Sequence, residues 1–254
     1  MKKLFSLIIL TLTVNAVNAQ TSTTTTVTTT PQKWRFGITA NLGGSWLKSN
    51  RSEMIRGNAG LQYGVNLQIE KRLTNSVSFL TGAGVTWHSG TLGLVNDTNT
   101  VVNMKVNNVE FDMVSRKYSF QSVDIPLALK LKTNEIGMIT YWAEVGVLPS
   151  IRWKASAKDN TYKVGNTESA FTGQDEKMNV NDANFLRASV IGGLGIEYSL
   201  SGSTALTAGI QYVGGFLSTL HSESDNLYTN GKIENKLNQN VMSNYVTLNV
   251  GILF

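Results

Sequence analysis

The chain has 254 residues, no cysteine and a formal charge of +5 at pH 7. Without cysteine there is neither a disulfide nor a lipidated N-terminal thiol, and so small and scattered a charge leaves no footprint for nucleic acid. The length suits one barrel or one to two soluble domains, and no apolar run reaches the ~20 residues that a membrane-crossing helix needs.

Met1-Lys2-Lys3, an apolar run from Leu4 to Val14 and the small residues around Val17-Asn18-Ala19 predict a secretory signal peptide over residues 1–19, cut before Gln20. Residues 20–32 are dominated by threonine and have no apolar face to bury, so they are read as an extended periplasmic tether. Residues 33–254 carry the fold.

From Lys33 the sequence falls into eight segments of alternating polarity: Lys33–Leu47, Leu61–Lys71, Val77–Trp87, Tyr118–Lys132, Ile139–Trp153, Phe185–Tyr198, Ala205–Phe216 and Tyr245–Phe254. Strand side chains alternate between faces, so each segment presents one apolar face and one small or polar face. In the last, Val246, Leu248, Val250, Ile252 and Phe254 share a face, and Thr247, Asn249 and Gly251 share the other. With no water in a bilayer core, only helices and closed barrels can span it, and here any span must be made of strands.

The connections alternate in length. Arg72–Ser76, Thr133–Met138 and Ser199–Thr204 are short, whereas Lys48–Gly60, His88–Lys117, Ala155–Asn184 and Leu217–Asn240 are long and polar. Short periplasmic turns opposite long outer loops are the outer-membrane pattern. Trp34, Tyr141, Tyr198 and Phe254 fall at the periplasmic ends of the segments, and Trp46, Tyr63, Trp87, Trp153 and Phe216 at the outer ends, giving two aromatic girdles. The sequence therefore predicts an all-β fold, an eight-stranded antiparallel up-and-down transmembrane β-barrel in the cell outer membrane.

Eight strands leave a bore that side chains fill. Arg35, Glu70, Lys130, Glu144 and Glu197 are predicted to point inward in the periplasmic half, and Asp124, Arg152 and Arg187 nearer the outside. Charges in a narrow bore must pair, so these form an expected lumen charge network, with Lys130 and Glu144 facing each other across the Thr133–Met138 turn. Pro126 and Pro149 each remove a ladder donor, and a local bulge is expected where they meet. The terminal aromatic, Phe254, is read as an assembly signal by likeness to barrels in general.

Four stretches carry a family resemblance: Gly60-Leu-Gln-Tyr-Gly-Val-Asn-Leu67, Ser122-Val-Asp-Ile-Pro-Leu-Ala-Leu-Lys-Leu-Lys132, Glu144-Val-Gly-Val-Leu-Pro-Ser150 and Ile191-Gly-Gly-Leu-Gly-Ile-Glu197. Together they resemble the PorT-type outer-membrane β-barrel family, the Asp-Ile-Pro-Leu-x-Leu-Lys strand being the most specific. The resemblance implies an eight-stranded outer-membrane barrel. Its namesake takes part in type IX protein secretion, and the resemblance carries over no site residue.

The leading functional expectation is a small plugged barrel that acts as a structural or interaction protein, without enzyme activity, cofactor or metal. Its long outer loops would present a binding surface, with a secretion-system accessory as one version. The expected partners are outer-membrane lipid, the barrel-assembly machinery, and extracellular or secretion-system proteins. Two other readings stand beside it: an outer-leaflet enzyme built on His88 or His221 with Ser89, Ser222, Ser224 or Asp225, and a narrow porin.

Overall fold

The computed structural model describes residues 33–94, 101–106, 109–163, 170–172, 178–179 and 183–254. The expected signal peptide and tether lie outside these residues. The elements in chain order are β1 (Trp34–Ser49), β2 (Met54–Arg72), β3 (Val77–Leu94), β4 (Val102–Val106), β5 (Val109–Asp124), β6 (Leu127–Lys132), β7 (Ile139–Lys163), β8 (Ala170–Thr172), β9 (Met178–Asn179), β10 (Leu186–Ser201), β11 (Thr204–Gly215), β12 (Glu223–Thr229), β13 (Lys232–Asn238) and β14 (Val241–Leu253).

Eight staves form the wall, every neighbouring pair antiparallel. Pairing runs from β1 to β2 and β3, on to β5 and β6 in line, then through β7, β10 and β11 to β14. It closes where β14 pairs with β1, from Gly37↔Leu253 to Ser49↔Val241. Closure leaves the membrane-spanning wall without an open edge.

The alternation sorts side chains as the sequence predicts. Leu42, Leu194 and Leu248 are 57%, 66% and 62% exposed on the outer face, while Thr247, Ser189 and Gln62 are 1% or less exposed on the inner one. A ring of exposed leucine around a buried polar interior is the reverse of a soluble protein, and it fits hydrocarbon outside. Trp34 to Trp46 and Tyr141 to Trp153 each span 12 positions. At ~3.3 Å per residue and a tilt of ~40°, that is about 30 Å of height, the thickness of a bilayer core.

The prolines do not make the expected bulge. β5 stops at Asp124 and β6 starts at Leu127, yet the rungs Asp124↔Ser150 and Leu127↔Val147 keep one register. Ile125 N–H donates to the Pro149 carbonyl across the gap at 2.9 Å. The stave is merely interrupted for two residues, because removing donors does not require adding a residue. The register shift lies further out, between Gln121 and Ser122, where Trp153 is the extra residue of β7.

The larger departure is at the long connections. Only residues 50–53 separate β1 from β2, β3 runs on to Leu94, and β7 reaches Lys163. Much of Lys48–Gly60, His88–Lys117, Ala155–Asn184 and Leu217–Asn240 is therefore strand, not loop. The physical reason is a second apolar core in the outer half, where Leu47, Met54, Leu92, Leu94, Met104, Met113, Tyr118, Phe120, Leu220, Leu227 and Leu237 are buried together. Beyond the membrane the polarity inverts, with apolar side chains pointing into the bore and polar ones out to water.

A cap closes this outer half. The β12–β13 hairpin rises between β11 and β14, and β12 pairs with β4 through Leu227↔Met104, Tyr228↔Asn103 and Thr229↔Val102. In turn β4 hangs on β5. In the ring β5 lies opposite β14, so the hairpin crosses the mouth to reach its partner.

Candidate functional site

The lumen is stacked in layers, each fixed by the inward parity of its staves. Nearest the short turns is an ionic layer. Lys130 Nζ lies 2.6 Å from Glu197 Oε1 and 3.7 Å from Glu70 Oε2, and Lys132 Nζ lies 2.5 Å from Glu70 Oε1 and 2.9 Å from Glu197 Oε1. Arg35 Nη1 completes the group 2.7 Å from Glu197 Oε2. β2, which carries Glu70, and β10, which carries Glu197, stand opposite each other in the ring. The two lysines of β6 thus tie one side of the bore to the other, with Glu70, Lys130 and Glu197 all 3% exposed or less.

The expected Lys130–Glu144 pair is half correct. The two residues share a rung, but the ammonium turns to Glu197 and Glu70, and Glu144 accepts instead from Gln211 Nε2 at 2.7 Å. A long lysine in a narrow bore reaches across it as easily as along the wall, and two carboxylates there outweigh one beside it. Lys132, which shares the parity of Lys130, joins the network beside it.

Trp142 lies in the same region, its ring centroid 4.6 Å from Lys130 Nζ. A bulky indole breaks the expectation of small or polar inward residues. It fits because a Cβ built on Gly195 or Gly209 would come within 2.5 Å of Trp142 Cζ2. These glycines are paired to each other on the adjoining staves, and their missing side chains are the slot for the ring.

Above the ionic layer is a polar cavity of about 70 Å³ whose lining includes Asn41, Gln62, Asn66, Glu144, Gln211 and Asn249. Its size and polarity suit a few waters. Trp142 Nε1 and Gln62 Oε1 are buried without a protein partner, and both residues line it.

The next layer is built on Arg187. Its guanidinium lies 2.9 Å from His88 Nε2, donates to Ser150 Oγ at 3.2 Å and sits 3.7 Å from Asp124 Oδ1. Ser122 Oγ also donates to Asp124 Oδ1 at 2.9 Å. Arg152, expected in this network, instead donates to the backbone carbonyls of Asn184 at 3.0 Å and Ala183 at 2.7 Å. It ties β7 to the segment that enters β10.

His88 is not a loop residue. It is 3% exposed inside the bore, with Phe120 stacked on it at 5.1 Å. Ser89 follows it in the strand and so faces the other way, and His221 is exposed. Ser224 Oγ accepts from Leu227 N–H, and Ser222 is exposed. The side chain of Asp225 lies outside the described residues. Highest in the bore is an ion pair that the sequence reading missed, because it fell within expected loops. Arg116 Nε and Nη2 meet Asp159 Oδ1 and Oδ2 at 2.6 and 2.8 Å, buried beside Tyr118.

Phe254 ends the chain on the outer face, half exposed. Its N–H donates to the Phe36 carbonyl at 2.7 Å and its carbonyl accepts from Phe36 N–H at 3.2 Å. Among the described residues, no group of three or more His, Asp or Glu side chains is placed to hold a metal ion.

A closed ring of eight antiparallel staves, apolar outside and ion-paired inside, defines a β-barrel of the outer-membrane class. Residues 18–221 match the family described as outer membrane protein beta-barrel domain; the chain belongs to that family, and its place is the cell outer membrane. A search of curated proteins finds no match. Among solved structures, Neisserial surface protein A is 10% identical at a TM-score of 0.40, with 85% of this chain and 95% of that chain covered. The outer membrane protein OprG of Pseudomonas aeruginosa is 11% identical at 0.42, covering 88% and 97%. The attachment invasion locus protein Ail of Yersinia pestis is 12% identical at 0.35, covering 88% and 100%.

Proposed function

We propose that this protein is a plugged barrel of the PorT type, a structural or interaction protein that carries a folded β cap outside the membrane as its binding surface. The observation that carries the reading is the double closure of the bore. The ionic layer crosses it at one end, and the β12–β4 pairing crosses it at the other. A conduit leaves its axis open, and an enzyme needs a nucleophile and a base within reach of each other. The geometry here supports rigidity and display instead.

On this reading the chain is exported by the signal peptide over residues 1–19 and tethered in the periplasm by residues 20–32. It needs no cofactor and performs no chemistry. Lipid surrounds the apolar belt, the barrel-assembly machinery reads the strand that ends at Phe254, and an extracellular or secretion-system protein docks on the cap. The accessory role in protein secretion is the version that the family resemblance favours. The test is a deletion strain complemented with the whole chain or with a chain lacking residues 223–238. Altered secreted protein or surface binding, restored by the whole chain and not by the capless one, is expected. Equal restoration by both removes the cap from the account.

A further inference from the structure

The cap ends in an open strand. β12 is held on both sides, by β4 and by β13. β13 has β12 on one side and, among the described residues, no strand on the other. Residues Lys232 to Lys236 and Asn238 of β13 are exposed, and Leu237 is buried. Ile233 is 60% exposed although it stands outside the lipid-facing belt. An edge strand in water presents a row of backbone donors and acceptors that a further strand can take.

The charges on β13 select that further strand. Lys232, Glu234 and Lys236 alternate with uncharged residues and so share one face. When two copies of β13 are laid antiparallel over their whole length, Asn235 meets Asn235, Glu234 meets Lys236 on two rungs and Lys232 meets Asn238. Ile233 of each copy then lies opposite Leu237 of the other, at the margin of the outer core. Sliding one copy by two residues is the smallest step that keeps the faces aligned. In one direction it opposes Glu234 to Glu234 and Lys232 to Lys236, and in the other Lys236 to Lys236, and like charges directly opposite destabilise a pair. A parallel pair in register opposes every charge to its own kind. Lysine on an edge discourages pairing in general; here the intervening glutamate exempts the full-length antiparallel alignment.

We infer that the partner of the cap is a second copy of this chain, joined by antiparallel pairing of the two β13 edges over Lys232–Asn238. The two Glu234–Lys236 rungs set the register, and the two-fold axis passes through Asn235. A strand of seven residues buries far less than the roughly 1,200 Å² of a stable interface. Each contact is therefore weak, and many copies held at high local concentration make it effective. The inference deepens the proposed function by naming the partner, and it rests on that reading of the cap as a binding surface.

The chain has no cysteine, so a single introduced thiol reports its own neighbour. Asn235→Cys lies on the two-fold axis, where the Cα atoms of a rung are about 4.5–5.5 Å apart, within disulfide reach. The whole mature chain with this substitution, oxidised in detergent micelles, should run as a covalent dimer. Lys232→Cys lies about 20 Å from its own copy, six residues along at ~3.3 Å each. It should stay monomeric alone and link to an Asn238→Cys chain when the two are mixed. Glu234→Lys added to Asn235→Cys makes both charged rungs repulsive and should slow the link about tenfold or more, and Lys236→Glu added to it should do the same. Mixing these two slow chains puts opposite charges back on both rungs and should restore the link. No link through Asn235→Cys, an equal link through Lys232→Cys alone, or no recovery in the mixture each overturns the pairing. Heat-modifiability on the same samples reports the barrel itself. A folded barrel that does not link, whose cap is still needed for surface binding in the deletion strain, defeats this inference and leaves the proposed function standing.

Discussion

The Glu197 carboxylate is the group on which the ionic layer turns, because Lys130, Lys132 and Arg35 all meet it. Alternation placed Arg35, Glu70, Lys130, Glu144 and Glu197 on the inner face, and all of them are there. It could not say that Lys130 would prefer Glu197, 67 positions away in sequence, to Glu144 on its own rung, because that choice depends on reach across the bore. The consequence is measurable in urea unfolding from detergent. Glu197→Gln alone leaves the lysines under-compensated and should cost about 3–5 kcal/mol, as breaking a buried pair does. In double-mutant cycles, Lys130→Met should couple strongly to Glu197→Gln and weakly to Glu144→Gln; the opposite ranking would reinstate the rung pair. Packing gives a second test. Gly209→Ala drives a methyl into the indole of Trp142 and should cost about 1–3 kcal/mol, as overpacking does. Trp142→Leu in the same chain should recover part of that loss, whereas an undiminished loss would place the strain elsewhere.

At the scale of elements, the sequence marked where the membrane-spanning strands lie but not where they stop. The alternation of small-polar and apolar residues ends near the outer girdle because the environment inverts there, and the strands continue with the opposite polarity. Met54, Leu92 and Leu94 read as loop residues only if an apolar side chain is assumed to face lipid. The β12–β13 hairpin was hidden for another reason: its partner β4 is remote in sequence, and pairing at such separation leaves no local signal. Leu227→Asp together with Leu237→Asp should place charge in the outer core and release the cap. Limited proteolysis should then cut within residues 223–238 while the barrel stays heat-modifiable. A cap that remains protected would mean that it is not held by this core. At the other end of β14, replacing Phe254 with Asp should sharply lower the amount of assembled barrel in outer-membrane fractions, since it puts a charge at the lipid-facing end of the apolar stripe. Unchanged levels would deny it an assembly role.

At the scale of the whole molecule, the fold follows from one requirement, that a strand in lipid must have partners on both sides. Eight staves satisfy it by closing β14 on β1, and a bore of that size is filled by its own side chains. Stability and closure are then the same property, because the ionic layer, the Trp142 slot, the Arg187 layer and the apolar outer core each bridge the interior while blocking it. A plugged barrel has no continuous path through it. Planar-bilayer recording with the purified, folded, full-length mature chain tests it most directly. No appreciable conductance above the bare membrane is expected, and reproducible large single-channel steps from the wild-type protein would mean an open bore.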